Sequence, residues 1–280
     1  MANKSSARPH ALVTGASSGI GAVFAERLAR DGYDLVIVAR RRDKLEALAQ
    51  RLKKGRHSAA GDQTPASVEV LVADLSKPGD LRAVEKHILE DKALELLVNN
   101  AGFGGYMPFV QLDPDKAEEL INLQVLAITR LTRSALPGMI ARGKGAVINV
   151  SSRLAFSGSL GLGQLPKRAT YVGAKAFINV FSQLLHSELE GTGVQVQALC
   201  PGVVPTEFHQ KVGADVNNFP PAIVMKAENV VDASLAALKT GEVICIPALD
   251  DMSLLTQIQE SERRLFESTR TGNLARRYGS

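Results

Sequence analysis

The chain has 280 residues, 45% hydrophobic and 22% charged, which suits an ordinary soluble globular protein with one large α/β domain or two small ones. Its formal net charge of +4 is small, and no dense Lys/Arg block interleaved with aromatics gives support to nucleic-acid binding. Two isolated cysteines, Cys200 and Cys245, no apolar run near the ~18 residues of a membrane span, and a short polar Met1–Pro9 point to a cytoplasmic chain with buried free thiols and no metal site.

His10 to Val13 reads as a strand that runs into Thr14-Gly15-Ala16-Ser17-Ser18-Gly19-Ile20-Gly21. Val23, Phe24, Leu28 and Ala29 then follow helical spacing. A strand, a glycine-rich turn and a helix in that order form the setting of a phosphate-binding motif. Gly15 permits the sharp turn, Gly19 lets backbone amides approach a pyrophosphate, and Gly21 lets the helix pack against the strand. The helix N-terminus would meet the anion with open N–H groups. The bland alternative is a merely tight loop.

Asp34 to Ala39 is a buried parallel strand by its β-branched run, and it ends in Arg40-Arg41-Arg42. An acid at this strand end would bind a ribose 2′-hydroxyl, whereas arginines suit a 2′-phosphate. This favours NADP(H) over NAD(H) through Arg40 and Arg41, while Arg42 reads as the start of a charged helix. That helix carries Leu45, Leu48, Ala49 and Leu52 on one face. Val68 to Ala73 is a third strand closed by Asp74-Leu75. Asp74 is suited to accept from an adenine amino group, or to cap the next helix.

Leu94 to Val98 is a fourth strand ending in Asn99-Asn100-Ala101-Gly102, where small residues let the backbone approach a ligand. From Pro114 to about Met139 one long helix carries Leu120, Leu123, Leu126, Ile128, Leu131 and Leu136. Ala146 to Val150 is a fifth strand that delivers Ser151-Ser152. A glycine-containing loop (Gly158, Gly161, Gly163) leads to a helix reaching about Leu189. Val194 to Leu199, ending in Cys200-Pro201-Gly202, and Val243 to Ile246 are the last strands, with a helix near Ala227 to Leu238 between them.

Within the helix after the loop, Tyr171 and Lys175 lie one turn apart on one face. A lysine ammonium beside a phenol, whose free pKa is about 10, favours the phenolate and makes a tunable general acid/base. Taken alone, such a pair is far more often a solvated surface contact, and the motifs that precede it in the chain are what lift it. Strands and helices alternate throughout, so the expected fold is a single α/β domain: a doubly wound parallel Rossmann-type sheet with a ligand crevice at the strands' carboxyl ends. Residues 250–280 read as a tail or helical extension.

The motifs Thr14 to Gly21, Asp74-Leu75, Asn99 to Gly102, Ser152, Tyr171-x-x-x-Lys175 and Pro201-Gly202 together resemble the short-chain dehydrogenase/reductase family over roughly residues 8 to 247. The resemblance implies that Ser152 polarises a substrate carbonyl, that Tyr171 gives or takes the proton, and that Lys175 holds the nicotinamide ribose. It implies cofactor contacts from Gly15, Ser17, Ser18, Gly19, Ile20, Gly21, Arg40, Arg41, Asp74, Leu75, Asn100, Ala101, Gly102, Tyr171, Lys175, Pro201, Gly202 and Thr206. The family's usual relay asparagine in the long helix is replaced by Gln124, taken as a catalytic relay in shifted form, with Asn122 as a surface residue. The loop from Ser152 to Tyr171 is longer than usual.

The implied function is an NADP(H)-dependent oxidoreductase interconverting a carbonyl and a secondary alcohol. A dinucleotide-binding sensor or scaffold with little catalysis is the alternative, and an isomerase or lyase on the same sheet would share the motifs. The crevice lining is expected from Phe103 to Phe109, Arg153 to Ala169 and Glu207 to Ala222, segments that are mainly apolar with few charges (Phe103, Tyr106, Met107, Phe109, Phe156, Leu160, Leu162, Phe208 and Phe219), which suits a hydrophobic small-molecule carbonyl substrate. The resemblance also implies a homodimer or homotetramer joined through the long helices.

Overall fold

In the computed structural model, which describes residues 8–54, 65–104, 107–160, 168–207 and 219–279, seven strands form one sheet. They are β1 (His10–Thr14), β2 (Asp34–Ala39), β3 (Val68–Val72), β4 (Leu94–Asn99), β5 (Gly145–Val150), β6 (Val194–Leu199) and β7 (Ile244–Cys245). Every strand expected from the sequence forms. The sheet order is β3-β2-β1-β4-β5-β6-β7, and every pairing is parallel. The order reverses at β1, which opens a crevice beyond its carboxyl end between the turns that follow β1 and β4.

Helices cover both faces, which is why the strands read as nearly unbroken apolar runs. On one face α1 (Gly19–Arg30), α2 (Arg42–Lys54) and α7 (Ala227–Lys239) bury Phe24, Leu28, Leu45, Leu48 and Val230 against the sheet. On the other, α3 (Pro78–Glu90), α5 (Ala127–Arg142) and α6 (Ala169–Glu188) bury Leu81, Val84, Leu131, Met139 and Leu185. As the sequence suggested, Arg42 begins α2 and pairs one turn on with Glu46 at 3.6 Å.

The long helix expected from Pro114 to Met139 is not continuous. Helix α4 (Pro114–Ile121) gives way to a π turn over Asn122–Leu126 before α5 resumes. The wider turn inserts a residue and rotates everything after it. Leu126, expected on the apolar stripe, is consequently exposed, while Leu123 and Gln124 are buried. The helix then stops at Gly143, whose φ of 66° is the left-handed conformation glycine adopts without strain.

A polar network crosses this apolar interior. The Asn99 side chain donates to Thr132 Oγ1 at 3.1 Å and to Asn149 Oδ1 at 2.9 Å, and Asn149 donates to Ser182 Oγ at 3.0 Å. It ties the ends of β4 and β5 to α5 and α6, a register that apolar packing alone leaves loose. The chain divides by contacts into Met1–Pro247 and Ala248–Ser280. The second unit holds helix α8 (Ser253–Ser268), in which Arg263 pairs with Glu260 and Glu267 at 2.9 and 2.7 Å. No helix among the described residues is long and apolar enough to cross a membrane. Cys200 and Cys245 are both buried free thiols.

Candidate active site

A cavity of about 300 Å³ lies at the carboxyl ends of the strands. Its floor is the turn between β1 and α1. Thr14 anchors that turn to β4: its Oγ1 donates to the Val98 carbonyl at 3.3 Å and accepts from the Asn100 and Ala101 N–H groups at 2.9 and 3.0 Å. The Asn100 side chain returns the tie by donating to the Thr14 and Gly15 carbonyls at 2.9 and 3.3 Å. Gly15 has φ 67° and Gly19 φ 57°, which side-chain-bearing residues rarely adopt. A Cβ on Gly21 would lie 2.5 Å from the Gly15 carbonyl oxygen, so Gly21 allows the close helix packing read from the sequence. A Cβ on Gly19 would lie 2.7 Å from Thr206 Cγ2, so this glycine also admits the segment after β6.

Ser18 precedes α1 without capping it through its side chain. The first N–H groups of a 12-residue helix therefore stay available at the crevice, an arrangement that fits an anion such as a pyrophosphate. Ser17, Ser18, Gly19 and Ile20 all line the cavity.

The two arginines after β2 line the adjoining wall but differ in setting. Arg41 donates to Glu207 Oε2 at 2.5 Å and to the Ser17 and Ser18 hydroxyls at 2.9 and 3.1 Å. Arg40 is half exposed, 3.8 Å from Asp74 and 3.5 Å from Glu119. Asp74 does not cap α3, whose first turn is preceded by Lys77. Its Oδ1 instead accepts from the Ser76 N–H and hydroxyl at 3.1 and 2.7 Å, closing the turn after β3. Asp74 and Leu75 both face the cavity, as do Ala101 and Gly102.

Opposite the glycine turn, the end of β5 holds the start of α6. Ser151 Oγ donates to the Lys175 carbonyl at 2.9 Å, and Lys175 Nζ donates to the Val150 carbonyl at 2.9 Å. Ser152 Oγ accepts from the Leu154 N–H at 3.1 Å, which uses a lone pair and leaves the hydroxyl proton for another acceptor. Lys175 Nζ lies 5.5 Å from the centroid of the Tyr171 ring. The ring packs in an apolar cluster with Leu120 and Ala174, so the pair is no solvated surface contact. Ser152, Tyr171, Lys175, Pro201, Gly202 and Thr206 all line the same cavity.

Burial pulls Lys175 down to about 7 from the ordinary 10.5. Neighbouring Cys200 is itself pushed up to about 12 by burial. It donates to Asn179 Oδ1 at 3.3 Å, and its charge interaction with the amine offsets the effect of burial only in part.

Gln124 sits apart from this surface. The π turn carries it fully inside, behind Gly102, where its Nε2 donates to the Phe103 carbonyl at 2.8 Å. A Cβ on Gly102 would lie 3.2 Å from Gln124 Oε1, so the glycine makes room for the longer amide. Asn122 is partly exposed and donates to Glu118 at 3.4 Å.

The family model for short chain dehydrogenase matches residues 9–217, which include every one of these motifs. The chain belongs to the short-chain dehydrogenase/reductase family. Among solved structures, it is similar to a short-chain dehydrogenase from Sphingobium yanoikuyae in complex with NADPH. The identity is 38% and the TM-score 0.87, covering 96% of this chain and 100% of that one. It also resembles the bulky-bulky ketone specific alcohol dehydrogenase from Comamonas testosteroni, at 34% identity and TM-score 0.83, covering 97% and 99%. A very-long-chain 3-oxoacyl-CoA reductase from Anas platyrhynchos is 32% identical over 202 residues, 71% of this chain. The match spans 60% of that relative's length.

Within this short-chain dehydrogenase/reductase fold the expected apolar lining needs correction. Of the described apolar residues expected there, Phe219 lines the cavity, whereas Phe103 packs toward the core, Phe156 is partly buried away from the cavity, and Met107, Phe109 and Leu160 are exposed. Tyr106, Leu162 and Phe208 lie outside the described residues. Arg153, Leu154 and Arg168, all within the second expected segment, do face the cavity, and Leu123, Val203 and Val204 join them from outside the expected segments. Arg168 directly precedes α6, and its Nη2 donates to Ser157 Oγ at 3.3 Å. Within those segments, placement at a strand or helix end decides which residues face inward. Glu207, the first residue of the third expected segment, lines the cavity as well, but its pairing with Arg41 had no signal in the sequence.

Proposed function

We propose that this oxidoreductase is NADP(H)-dependent and interconverts a carbonyl and a secondary alcohol. One observation carries the reading: Ser152, Tyr171 and Lys175 border the same crevice whose other wall is the Gly15–Gly21 turn. The uncapped start of α1, facing that turn, suits the pyrophosphate of a dinucleotide. Arg41, with Arg40 beside it, takes the 2′-phosphate in this reading, because no acid stands at the end of β2. Asp74 and Leu75 border the adenine, Asn100 to Gly102 the adjoining ribose, and Pro201, Gly202 and Thr206 the nicotinamide end.

When bound, the cofactor supplies or accepts the hydride. The Ser152 hydroxyl, its oxygen already accepting from Leu154, donates to the carbonyl oxygen. Tyr171 delivers the proton to that oxygen on reduction and removes it on oxidation. Lys175, held by the Val150 carbonyl, favours the phenolate and binds the nicotinamide ribose. The apolar packing round the Tyr171 ring keeps bulk water from the phenol. Gln124 remains the relay residue of this reading, through its Oε1, since Nε2 is committed to Phe103.

The substrate is a bulky, largely hydrophobic ketone. Leu123, Leu154, Val203 and Phe219 on the cavity support this, as do the printed names of the Comamonas and Anas relatives. A homo-oligomer belongs to the same reading, supported by Phe177, Val180 and Leu184 exposed at helical spacing along α6. The test is turnover of NADPH against a panel of bulky and small ketones. Consumption with bulky ketones, lost in Tyr171→Phe, is the expected result. Tight NADPH binding with no turnover of any carbonyl would instead leave a dinucleotide-binding protein without this chemistry.

A further inference from the structure

The carboxylate of Glu207 stands where an incoming phosphate would be expected to meet Arg41. Arg41 leaves β2 and reaches over the glycine turn, where Ser17 and Ser18 accept from its Nη2. Its Nη1 donates to Glu207 Oε2 at 2.5 Å. Glu207 belongs to the far side of the crevice, 166 residues along the chain. It is brought there by Thr206, which packs so close to Gly19 that a Cβ on the glycine would lie 2.7 Å from its Cγ2. Both partners line the cavity, and their side chains are 33% and 35% exposed, so a ligand arriving from solvent has access to the pair.

An arginine in this position faces two possible anions. A carboxylate and a phosphate monoester both accept from the same guanidinium edge, and Nη1 cannot serve both at full strength. The internal carboxylate also cancels much of the local positive charge that would attract a dianionic phosphate. Arg40 is no substitute, since Asp74 and Glu119 lie beside it.

We propose that Glu207 is a specificity-determining residue: it competes with the cofactor's 2′-phosphate for Arg41 and thereby reduces the preference for the phosphorylated dinucleotide. The inference rests on the assignment of Arg41 to the 2′-phosphate made above. The competition is confined to the 2′-position. A dinucleotide with a free 2′-hydroxyl leaves the Arg41–Glu207 pair intact, whereas one carrying the phosphate displaces the carboxylate.

The test is isothermal titration of the full chain with four ligands: NADPH, NADH, adenosine 2′,5′-bisphosphate and adenosine 5′-monophosphate, at one fixed salt concentration. Glu207→Gln keeps the shape and removes the charge. It is expected to tighten NADPH and the bisphosphate about threefold, the scale of a partly exposed ion pair, and to leave the other two unchanged. Equal tightening of all four ligands would show a general relief of negative charge and overturn the proposal. Weaker NADPH binding would overturn it too, by showing that Glu207 orients Arg41 for the phosphate instead of opposing it.

Arg41→Ala separates this inference from the reading beneath it. That variant is expected to weaken NADPH at least tenfold and NADH little. If Arg41→Ala leaves both cofactors unchanged, the phosphate assignment fails and the competition fails with it. If Arg41→Ala behaves as expected while Glu207→Gln changes nothing, the competition alone is wrong. An unchanged melting temperature for Glu207→Gln verifies that the variant is folded.

Discussion

The Lys175 amine lies 5.5 Å from the centre of the Tyr171 ring while the same nitrogen donates to the Val150 carbonyl at 2.9 Å. The backbone of β5, not solvent, sets where the amine stands. A lysine on an exposed helix face would wander through many rotamers; here the strand end removes that freedom. The same burial that fixes the amine works against its charge, and this gives the site a pH signature.

Lys175 is lowered to about 7 in the folded chain from an ordinary 10.5. Between those values the unfolded chain binds a proton that the folded chain does not, so stability rises with pH. Below about 7 both states are protonated and the penalty for burying the cation is fully present. Cys200 and Cys245, raised from 9.0 to about 12, act in the opposite direction above pH 9. Urea unfolding from pH 7 to 9 is therefore expected to show stability rising with pH, by roughly 1 kcal/mol per pH unit from this one group. Lys175→Met should flatten that slope, and an unchanged slope in the variant would place its origin elsewhere.

Tyr171→Phe removes one oxygen from a ring packed among Leu120 and Ala174. The fold and dinucleotide binding should survive, while kcat falls by about two to four orders of magnitude. Steady-state kinetics with a bulky ketone, beside a binding titration, separates the two effects. Retained turnover would take the phenol out of the mechanism.

Ser152→Ala removes a donor to the carbonyl and also the acceptor for the Leu154 N–H. A kcat loss of roughly 10²-fold is expected, with a stability loss of ~1 kcal/mol from the missing cap. Ser152→Thr restores the hydroxyl, and should recover more stability than activity because its added methyl crowds the crevice. Calorimetry and kinetics on both variants check this.

Gly21→Ala puts a methyl group 2.5 Å from both the Gly15 carbonyl oxygen and the Asn100 amide nitrogen. The first of these is backbone, so α1 must move away from the turn. A stability loss of about 1–3 kcal/mol is expected, with dinucleotide affinity lowered as well. A thermal melt in the presence and absence of NADPH reads both, and an unaltered melt would mean that the helix yields more easily than the packing suggests.

Gln124→Asn shortens the side chain by one methylene and withdraws its amide from the Phe103 carbonyl. Leaving that carbonyl without its donor should cost ~1–3 kcal/mol. If Oε1 also serves a proton relay, the solvent isotope effect on kcat changes in this variant. A changed melting temperature with an unaltered isotope effect would restrict Gln124 to holding the Phe103 segment.

Much of this molecule was legible in one dimension. Each strand declared itself by an apolar run with a polar or glycine-bearing end, because a parallel strand buried on both faces has few residue types open to it. The site motifs sit at those ends, so their order along the chain placed them along the crevice. Less could be read where residues distant in sequence compete for one contact. Nothing local marks the π turn at Asn122–Leu126, which turned Leu126 outward and Gln124 inward. Glu207 and Arg41 are ordinary surface charges until β6 and β2 deliver them to one glycine turn.

The sequence by itself determined the sheet, the glycine turn and the tyrosine–lysine spacing, since each depends on residues within a turn or a strand of one another. Tertiary structure decided which side chains line the cavity, which carboxylate holds Arg41, and how far Lys175 is desolvated. Those properties belong to the packing of segments far apart in the chain, 166 residues in the case of Arg41 and Glu207, where burial and charge are set by neighbours that no short window of sequence contains.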